Sequence, residues 1–197
     1  RQMYVGGRCE TDLQDMKLDP RPTKPQLGPS LTEARGGGSK PNVGAIACEA
    51  SIADVRKYLD TNCRMLFVTA GMGGGTGTGA APIIAKTARE MGILTVGIVT
   101  LPFTFEGRRR ATNGMEGLNE LKENVDTLII VSNDKLRQIH GNLNLSEAFA
   151  KADNILTTAA RGIAEIITVA GYVNVDFEDV NTVLHTVAAA TLPAATT

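Results

Sequence analysis

The sequence predicts an α/β fold, and two observations support this prediction. Three short apolar runs have the length of strands, and the first is a continuous run typical of a strand buried on both faces. The runs are Met65 to Thr69, Ile93 to Val99 and Thr127 to Val131. Segments of helical periodicity separate them, and strands that alternate with helices are joined by βαβ crossovers. We therefore expect a Rossmann-like parallel sheet with flanking helices.

The segment before the first strand has a different composition. Residues 17–43 contain five of the eight prolines, together with the triplet Gly36, Gly37 and Gly38. Proline removes a backbone donor and glycine frees the backbone, so an irregular loop is predicted there. One amphipathic helix is predicted next, because apolar residues recur at helical spacing between Ile46 and Leu59.

Further helices are predicted from apolar periodicity and from end signals. They run from about Ala80 to Met91, from about Gly107 to Glu123 and from roughly Ser146 to Ala170. Gly92 supplies the C-terminal stop of the first. Asn144 and Glu147 have the spacing of a capping box at the start of the third. After a short break, another helix is predicted to begin near Asp176.

Composition excludes several classes of function. The chain has 197 residues, with 20 Lys and Arg against 21 Asp and Glu. A balance this close to neutral disfavours nucleic acid or an anionic membrane as partner. Three scattered cysteines suit neither a disulfide framework nor a zinc site, and no apolar run reaches the ~18 residues of a membrane span. We expect a reduced, cytoplasmic chain without direct membrane insertion, and one that is part of a longer protein.

Glycine is the unusual residue type, at 21 of 197. Six of the 21 lie in the nine-residue stretch from Gly71 to Gly79, between the first strand and a helix. At that edge of a parallel sheet, glycines let backbone N–H groups surround phosphate oxygens, and the helix dipole assists. A tight turn would need only one or two glycines. The stretch therefore predicts a phosphate-binding loop.

Two common phosphate loops fit this stretch poorly. A Walker-type loop needs a lysine after its last glycine, and here Gly79 is followed by Ala80. A relaxed dinucleotide pattern does fit Gly75, Gly77 and Ala80, yet the carboxylate expected for a ribose is missing at the end of the next strand. A nicotinamide or flavin enzyme therefore stays open only as a weak alternative.

Four motifs in order closely resemble the tubulin/FtsZ family of GTPases, and most closely its bacterial cell-division branch. The motifs run from Thr69 to Pro82, Pro102 to Arg110, Asn133 to Leu136 and Asn174 to Val180. The resemblance covers about residues 9 to 187. It implies a protein that binds GTP and Mg²⁺ and polymerises head to tail with itself. It also implies accessory proteins of the division ring as partners, and a place at midcell.

The resemblance assigns the phosphate contacts to two loops. The first contributes backbone donors and threonine hydroxyls from Gly73, Gly74, Gly75, Thr76, Gly77 and Thr78. The second is the triplet Gly36, Gly37 and Gly38, which matches a family segment near the γ-phosphate. In that segment the family has Gly-Ala-Gly followed by Ala-Asn. Here the middle Ala is glycine, and Ser39 and Lys40 follow.

The resemblance also assigns sugar and base contacts. Glu106 and Arg110 match the sugar-contacting pair, although a solvated, charged helix start explains the same residues equally well. Asn133, Phe149 and Asp153 match the guanine-recognition positions. A carboxylate can accept from guanine N1–H and the exocyclic amine, and an aromatic ring offers a stacking face. On residue chemistry alone, a core Phe and a solvated Asp are favoured.

Catalysis is assigned to Asn174, Asp176 and Asp179. In the family this loop enters the nucleotide site of the next subunit and positions the attacking water. Without the resemblance, Asp176 is a helix N-cap and Asp179 a favourable acidic residue in the first turn. No set of metal ligands is visible in the sequence.

The resemblance divides the chain into two parts. Residues 1–171 correspond to a partial GTP-binding domain that ends with its long central helix. Residues 172–197 correspond to the catalytic loop and the first helix leading into a second domain. The family's first glycine-rich loop would precede Arg1, so truncation at both ends is expected. A non-catalytic fragment that only joins filaments therefore remains an alternative function.

Overall fold

The computed structural model describes residues 26–28, 38–60, 63–141, 144–168, 182 and 190–191. Within these ranges, parallel strands form one sheet in the order β1-β2-β3-β4. The strands are β1 (Met65–Gly71), β2 (Leu94–Leu101), β3 (Thr127–Ser132) and the two-residue β4 (Ala190–Thr191). The predicted α/β class with a parallel sheet is confirmed.

Helices precede and connect the strands. They are α1 (Pro41–Ala50), α2 (Ile52–Leu59), α3 (Thr76–Glu90), α4 (Arg108–Asn124), α5 (Asn133–His140) and α6 (Leu145–Thr168). A 3₁₀ turn, Thr104–Glu106, lies between β2 and α4. Helices α3 and α4 are therefore the βα crossovers that the alternating pattern predicted, and α4 agrees with its predicted bounds to within one residue.

The strands differ in burial. Every residue of β2 from Leu94 to Thr100 is buried, because β1 and β3 cover its two edges and helices pack against it. The prediction that the first strand is buried on both faces is wrong. In β1 only Val68 is buried, and Thr69 is exposed. Within the described residues β1 pairs with β2 alone, so one edge of the strand lacks the cover that β2 has.

Apolar side chains form clusters on which the helices rest. The largest joins the sheet to α3 and α4, and includes Val68, Ala85, Val99, Leu121 and Leu128. A second holds α1 and α2 against α3. A third joins β3, α5 and α6. The helices are thus held against the sheet by these three clusters.

Three local features were predicted incorrectly or missed. The single helix expected between Ile46 and Leu59 is two helices, which meet at Ser51. The Ser51 hydroxyl accepts a 2.9 Å hydrogen bond from the Gly28 N–H, and the residue is 7% exposed. Helix α3 begins at Thr76, four residues before the predicted start. Helix α5 was missed, because it is too short for a periodic signal.

End signals were predicted more successfully. Gly92 has φ +74°, and the N–H of Ile93 returns to the Ala88 carbonyl at 3.0 Å, so the chain stops α3 there. Before α6, the Asn144 N–H donates to the Glu147 carboxylate at 3.1 Å, and the Glu147 N–H donates to Asn144 Oδ1 at 2.9 Å. This reciprocal pair is the predicted capping box.

Candidate functional site

The candidate site lies at the carboxyl edge of the sheet, where three consecutive strands end. The glycine loop, residues 72–75, follows β1 and leads into α3. The segment 102–107 follows β2, and Asn133 directly follows β3. Because the strands are parallel and neighbours in the sheet, these three segments come together at one edge. This is the place where open α/β sheets bind ligands.

The glycine loop is braced from within. The N–H of Gly73 donates a 2.8 Å hydrogen bond to the Thr78 hydroxyl, and Thr78 is 2% exposed. Gly73 has φ +99°, and a Cβ there would lie 2.7 Å from the Arg110 carbonyl oxygen. In this structure the Gly73 N–H and the Thr78 hydroxyl therefore satisfy each other. Their role here is to hold the loop in its shape.

The glycines of the loop have different surroundings. Among the described residues, no heavy atom lies within 4 Å of a Cβ position at Gly74, which leaves space beside it. By contrast, Gly77 lies against the Gly71 carbonyl oxygen, and Gly79 lies against the carbonyl oxygen of Pro41 at the start of α1. Part of the glycine excess thus serves close backbone packing. Gly74 instead is partly exposed, and a side chain there would meet none of the described residues.

The start of α3 carries the rest of the predicted phosphate contacts. Gly75 is its N-cap, and Thr76, Gly77 and Thr78 form its first turn. The first turn of an α-helix has N–H groups without intrahelical acceptors and the positive end of the helix dipole. An anionic group is favoured at such a position, and the open space at Gly74 adjoins it.

Glu106 and Arg110 are brought together as the resemblance implied. Arg110 Nη1 donates to Glu106 Oε2 at 2.6 Å, and Glu106 Oε1 accepts the Phe103 N–H at 2.8 Å. The Glu106 side chain is 10% exposed and that of Arg110 is 44% exposed. Glu106 is therefore not the solvated residue of a helix start. It braces the 3₁₀ turn and holds the guanidinium at the surface.

The turn before α4 is also tied to α5. Both carboxylate oxygens of Asp134 accept from the Thr104 N–H, at 3.1 and 3.2 Å. Asp134 Oδ2 also accepts the Thr104 hydroxyl at 2.5 Å. These bonds join the segment after β2 to the segment after β3. Neither residue stands out in the sequence, since each is an ordinary turn or helix-start residue when taken alone.

The three residues assigned to base recognition lie on α5 and α6. Asn133 is 4% exposed, and its Oδ1 has no hydrogen-bond partner among the described residues. Phe149 is 40% exposed, so it is not the core residue that residue chemistry favoured. Its ring meets Phe103 edge to face, with 5.3 Å between centroids. Asp153 is exposed, one helical turn after Phe149.

A cavity of about 320 Å³ lies between the start of α1 and α4. Its lining includes Lys40, Arg109, Asn113 and Glu116. Asn113 Nδ2 donates to the Ser39 carbonyl at 3.3 Å, which ties the segment before α1 to α4. Arg109 is exposed. Arg109 and Lys40 line the same cavity although they are 69 positions apart, and no sequence pattern predicts that.

Several predicted residues lie outside the described part of the chain: Gly36, Gly37, Asn174, Asp176 and Asp179. Of the glycine triplet only Gly38 is described, with φ +59°. In the described ranges, no group of three or more His, Cys, Asp or Glu residues could hold a metal ion. None of the described helices is both long and apolar enough to cross a membrane.

The fold and the strand-end segments define an α/β domain with a glycine-rich loop feeding a helix N-terminus. A family model, described as the GTPase domain of the tubulin/FtsZ family, matches residues 8–141, more than half of the chain. The chain belongs to the tubulin/FtsZ family.

Relatives agree with this assignment. The cell division protein FtsZ of Porphyromonas gingivalis is 54% identical over 177 residues, which cover 89% of this chain and 39% of that protein. An empty FtsZ dimer from M. jannaschii has TM-score 0.89 at 40% identity, covering 93% of this chain and 53% of that one. A GTPγS-bound protofilament of CetZ2 from Haloferax volcanii has TM-score 0.76 at 26% identity, covering 91% and 53%. The chain thus spans about two fifths to half of these proteins.

Proposed function

We propose that this chain binds GTP and GDP at the carboxyl edge of its sheet, with the phosphates at the glycine loop. The observation that carries the proposal is the contrast within that loop. Gly73 and Thr78 lock its shape, while Gly74 faces open space beside the first turn of α3. A rigid loop with exposed backbone at a helix N-terminus suits an anion. The CetZ2 relative, in its GTPγS-bound form, carries a nucleotide on a similar fold.

Guanine is the base that the polar groups suit. Asn133 offers a buried carbonyl oxygen that has no partner among the described residues, and an orphaned acceptor is costly until a donor reaches it. The Asp153 carboxylate can accept from guanine N1–H and the exocyclic amine, a donor pair that adenine lacks. Phe149 offers a half-exposed ring for stacking, and Arg110 is at the surface for a sugar or phosphate oxygen.

We assign GTP hydrolysis to the whole protein and place it at a junction between subunits. There the loop with Asn174, Asp176 and Asp179 of one subunit would meet the nucleotide of the next, and its carboxylates would orient the attacking water. Mg²⁺ would be held largely by phosphate oxygens and water, and would neutralise phosphate charge. Asp176 also caps the following helix in this account, which fixes the loop.

Assembly in this proposal is head to tail, between identical subunits. A heterologous contact of this kind does not close and so makes open filaments. The dimer of the M. jannaschii relative and the protofilament of CetZ2 support the same arrangement. The whole protein would then act as a filament of the bacterial division ring, in the cytoplasm at midcell, together with accessory division proteins.

The test compares GTP turnover with protein concentration, using the whole protein that contains this chain. The proposal expects specific activity to rise steeply with concentration, because the site is completed by a neighbour. Asp179→Ala should abolish turnover while GTP still binds. A mixture of Asp179→Ala with a variant defective only in GTP binding should regain activity. Constant specific activity from dilute to concentrated solution would overturn the proposal and favour a site complete within one subunit.

A further inference from the structure

We propose that Asp134 is a positioning residue of the nucleotide site, which holds the base-binding and sugar-binding segments in register through Thr104. The inference rests on the proposed function and adds a residue that the motif assignments leave without a role. Its basis is one carboxylate, Asp134, that accepts both the N–H and the hydroxyl of Thr104. These are the described bonds that join the segment after β2 to α5.

On one side of this link lies the base segment. Asp134 directly follows Asn133, whose buried Oδ1 lacks a partner among the described residues. Asn133 is the first residue of α5, and Leu136 packs into the cluster that α5 shares with α6. The hydrogen bonds that hold Asp134 in place therefore also hold the side-chain amide of the neighbouring Asn133 in its orientation.

On the other side lies the sugar segment. Thr104 opens the 3₁₀ turn, and Glu106 closes the same turn by accepting the Phe103 N–H. Glu106 in turn holds Arg110 at 2.6 Å. The buried Phe103 lies between Phe105, stacked at 4.8 Å, and Phe149, met edge-on. Thr104 thus belongs to a rigid turn that carries Arg110 on one side and supports the Phe149 ring on the other.

The link is of a strong kind. A hydrogen bond to a charged acceptor is roughly twice as strong as a neutral one, and here one carboxylate receives two donor groups. Both residues are polar and partly exposed, so core packing does not require them there. Loss of the link should leave the sheet intact and loosen the register of base and sugar contacts. A misplacement of about 1 Å at a binding site weakens ligand contacts markedly.

The test measures binding of a fluorescent GDP analogue to the 197-residue chain and to matched variants. Asp134→Asn removes the charge and one acceptor, and we expect about tenfold weaker GDP binding, as for a lost charged hydrogen bond. Thr104→Val should weaken binding similarly, and the double variant should be no weaker than either alone. Thr104→Ser keeps both donors and should retain parental affinity. Asp54→Asn, an exposed Asp on α2, is the matched control and should also bind as the parent does.

Two further measurements separate positioning from a general structural role. Inorganic pyrophosphate, which lacks base and sugar, should compete with equal strength in the parent and in Asp134→Asn. The Thr104 amide should exchange hydrogen faster in Asp134→Asn, with or without nucleotide. Parental GDP affinity in Asp134→Asn, or additive losses in the double variant, would overturn the inference. Absence of GDP binding by the parent, with Thr104 exchange still accelerated, would instead overturn the proposed function.

Discussion

The N–H of Gly73 and the hydroxyl of Thr78 are joined by a buried 2.8 Å hydrogen bond across the glycine loop. The bond gives a loop of small residues a defined shape, because it ties the turn after β1 to the first turn of the helix that follows. We therefore expect the loop to have little freedom before a ligand arrives.

Removal of the Thr78 acceptor tests this bracing. Thr78→Val keeps the shape of the side chain but leaves the Gly73 N–H without an acceptor in a buried place. We expect the free energy of unfolding to fall by about 1–3 kcal/mol, measured by urea denaturation. Thr78→Ser keeps the hydroxyl and should lose less. Equal losses in Val and Ser variants would show that the methyl group, and not the hydrogen bond, matters.

Gly73 and Gly74 form a matched pair of neighbouring glycines. Gly73→Ala forces a side chain into φ +99° and against the Arg110 carbonyl, whereas Gly74→Ala places its methyl group in open space. We expect Gly73→Ala to lower the free energy of unfolding by at least about 1–2 kcal/mol and Gly74→Ala to change it by less than about 0.5 kcal/mol. Thermal or urea unfolding of the two proteins decides this, and equal stability would contradict the loop geometry.

A substitution at Lys40, the residue immediately before α1, should raise the free energy of unfolding. Lys40 is the N-cap, has extended backbone angles and makes no side-chain capping bond. Lys40→Asn would supply a side-chain acceptor for the first turn, and N-caps of this kind stabilise by about 1 kcal/mol. Lys40→Ala, which removes the charge without adding an acceptor, is the control. A gain as large in the Ala variant would point to charge instead of capping.

A buried carboxylate should matter far more than an exposed one. Asp126 is 3% exposed at its side chain, accepts the Thr95 N–H at 2.8 Å and pairs with Arg89 at 3.3 Å. Asp126→Asn should lower the free energy of unfolding by about 1–3 kcal/mol, because the amide keeps one acceptor oxygen for two donors, so its NH2 would face either the Thr95 N–H or the Arg89 guanidinium. Asp54→Asn breaks an exposed pair with Lys57 and should cost under about 0.5 kcal/mol. Similar losses would contradict this account.

Thiol chemistry gives a pH-dependent prediction. Burial raises the pKa of the Cys63 thiol above its usual range. Because the pKa of the Cys63 thiol is higher in the folded chain than in the unfolded chain, its contribution to the free energy of unfolding is complete below the unfolded pKa. That contribution is lost as pH rises through the folded pKa. Cys63 in the folded chain should react with iodoacetamide more slowly than in the unfolded chain between pH 8 and 9, as followed by peptide mass spectrometry. Equal rates would show that the thiol is not desolvated.

Local patterns predicted much of this fold, and long-range contacts account for most of what they missed. Asn144 and Glu147 are three residues apart, so their capping box was visible in the sequence. The break at Ser51 depends on Gly28, 23 positions away, and no periodicity reports it. The burial of β1 was overestimated, because the residues of a strand do not show which neighbours cover its two edges.

The site shows the same division. A cluster of glycines before a helix pointed to the loop, yet the functions of its members depend on what lies next to each one. A side chain at Gly79 would clash with the Pro41 carbonyl oxygen, and a side chain at Gly73 would clash with the Arg110 carbonyl oxygen. A side chain at Gly74 would meet none of the described residues. The link between Thr104 and Asp134 spans 30 positions and joins two motifs that resemblance treated separately. Their contact is visible only in the folded structure.

We expect the site at the carboxyl edge of the sheet to be selective for guanine nucleotides. Calorimetric titration of the 197-residue chain with GDP and with ADP, in buffer containing Mg²⁺, tests it most directly. We predict saturable binding of GDP with one site and at least tenfold weaker binding of ADP, and loss of this preference in Asp153→Asn. Equal affinity for the two nucleotides, or no saturable binding of either, would contradict the claim.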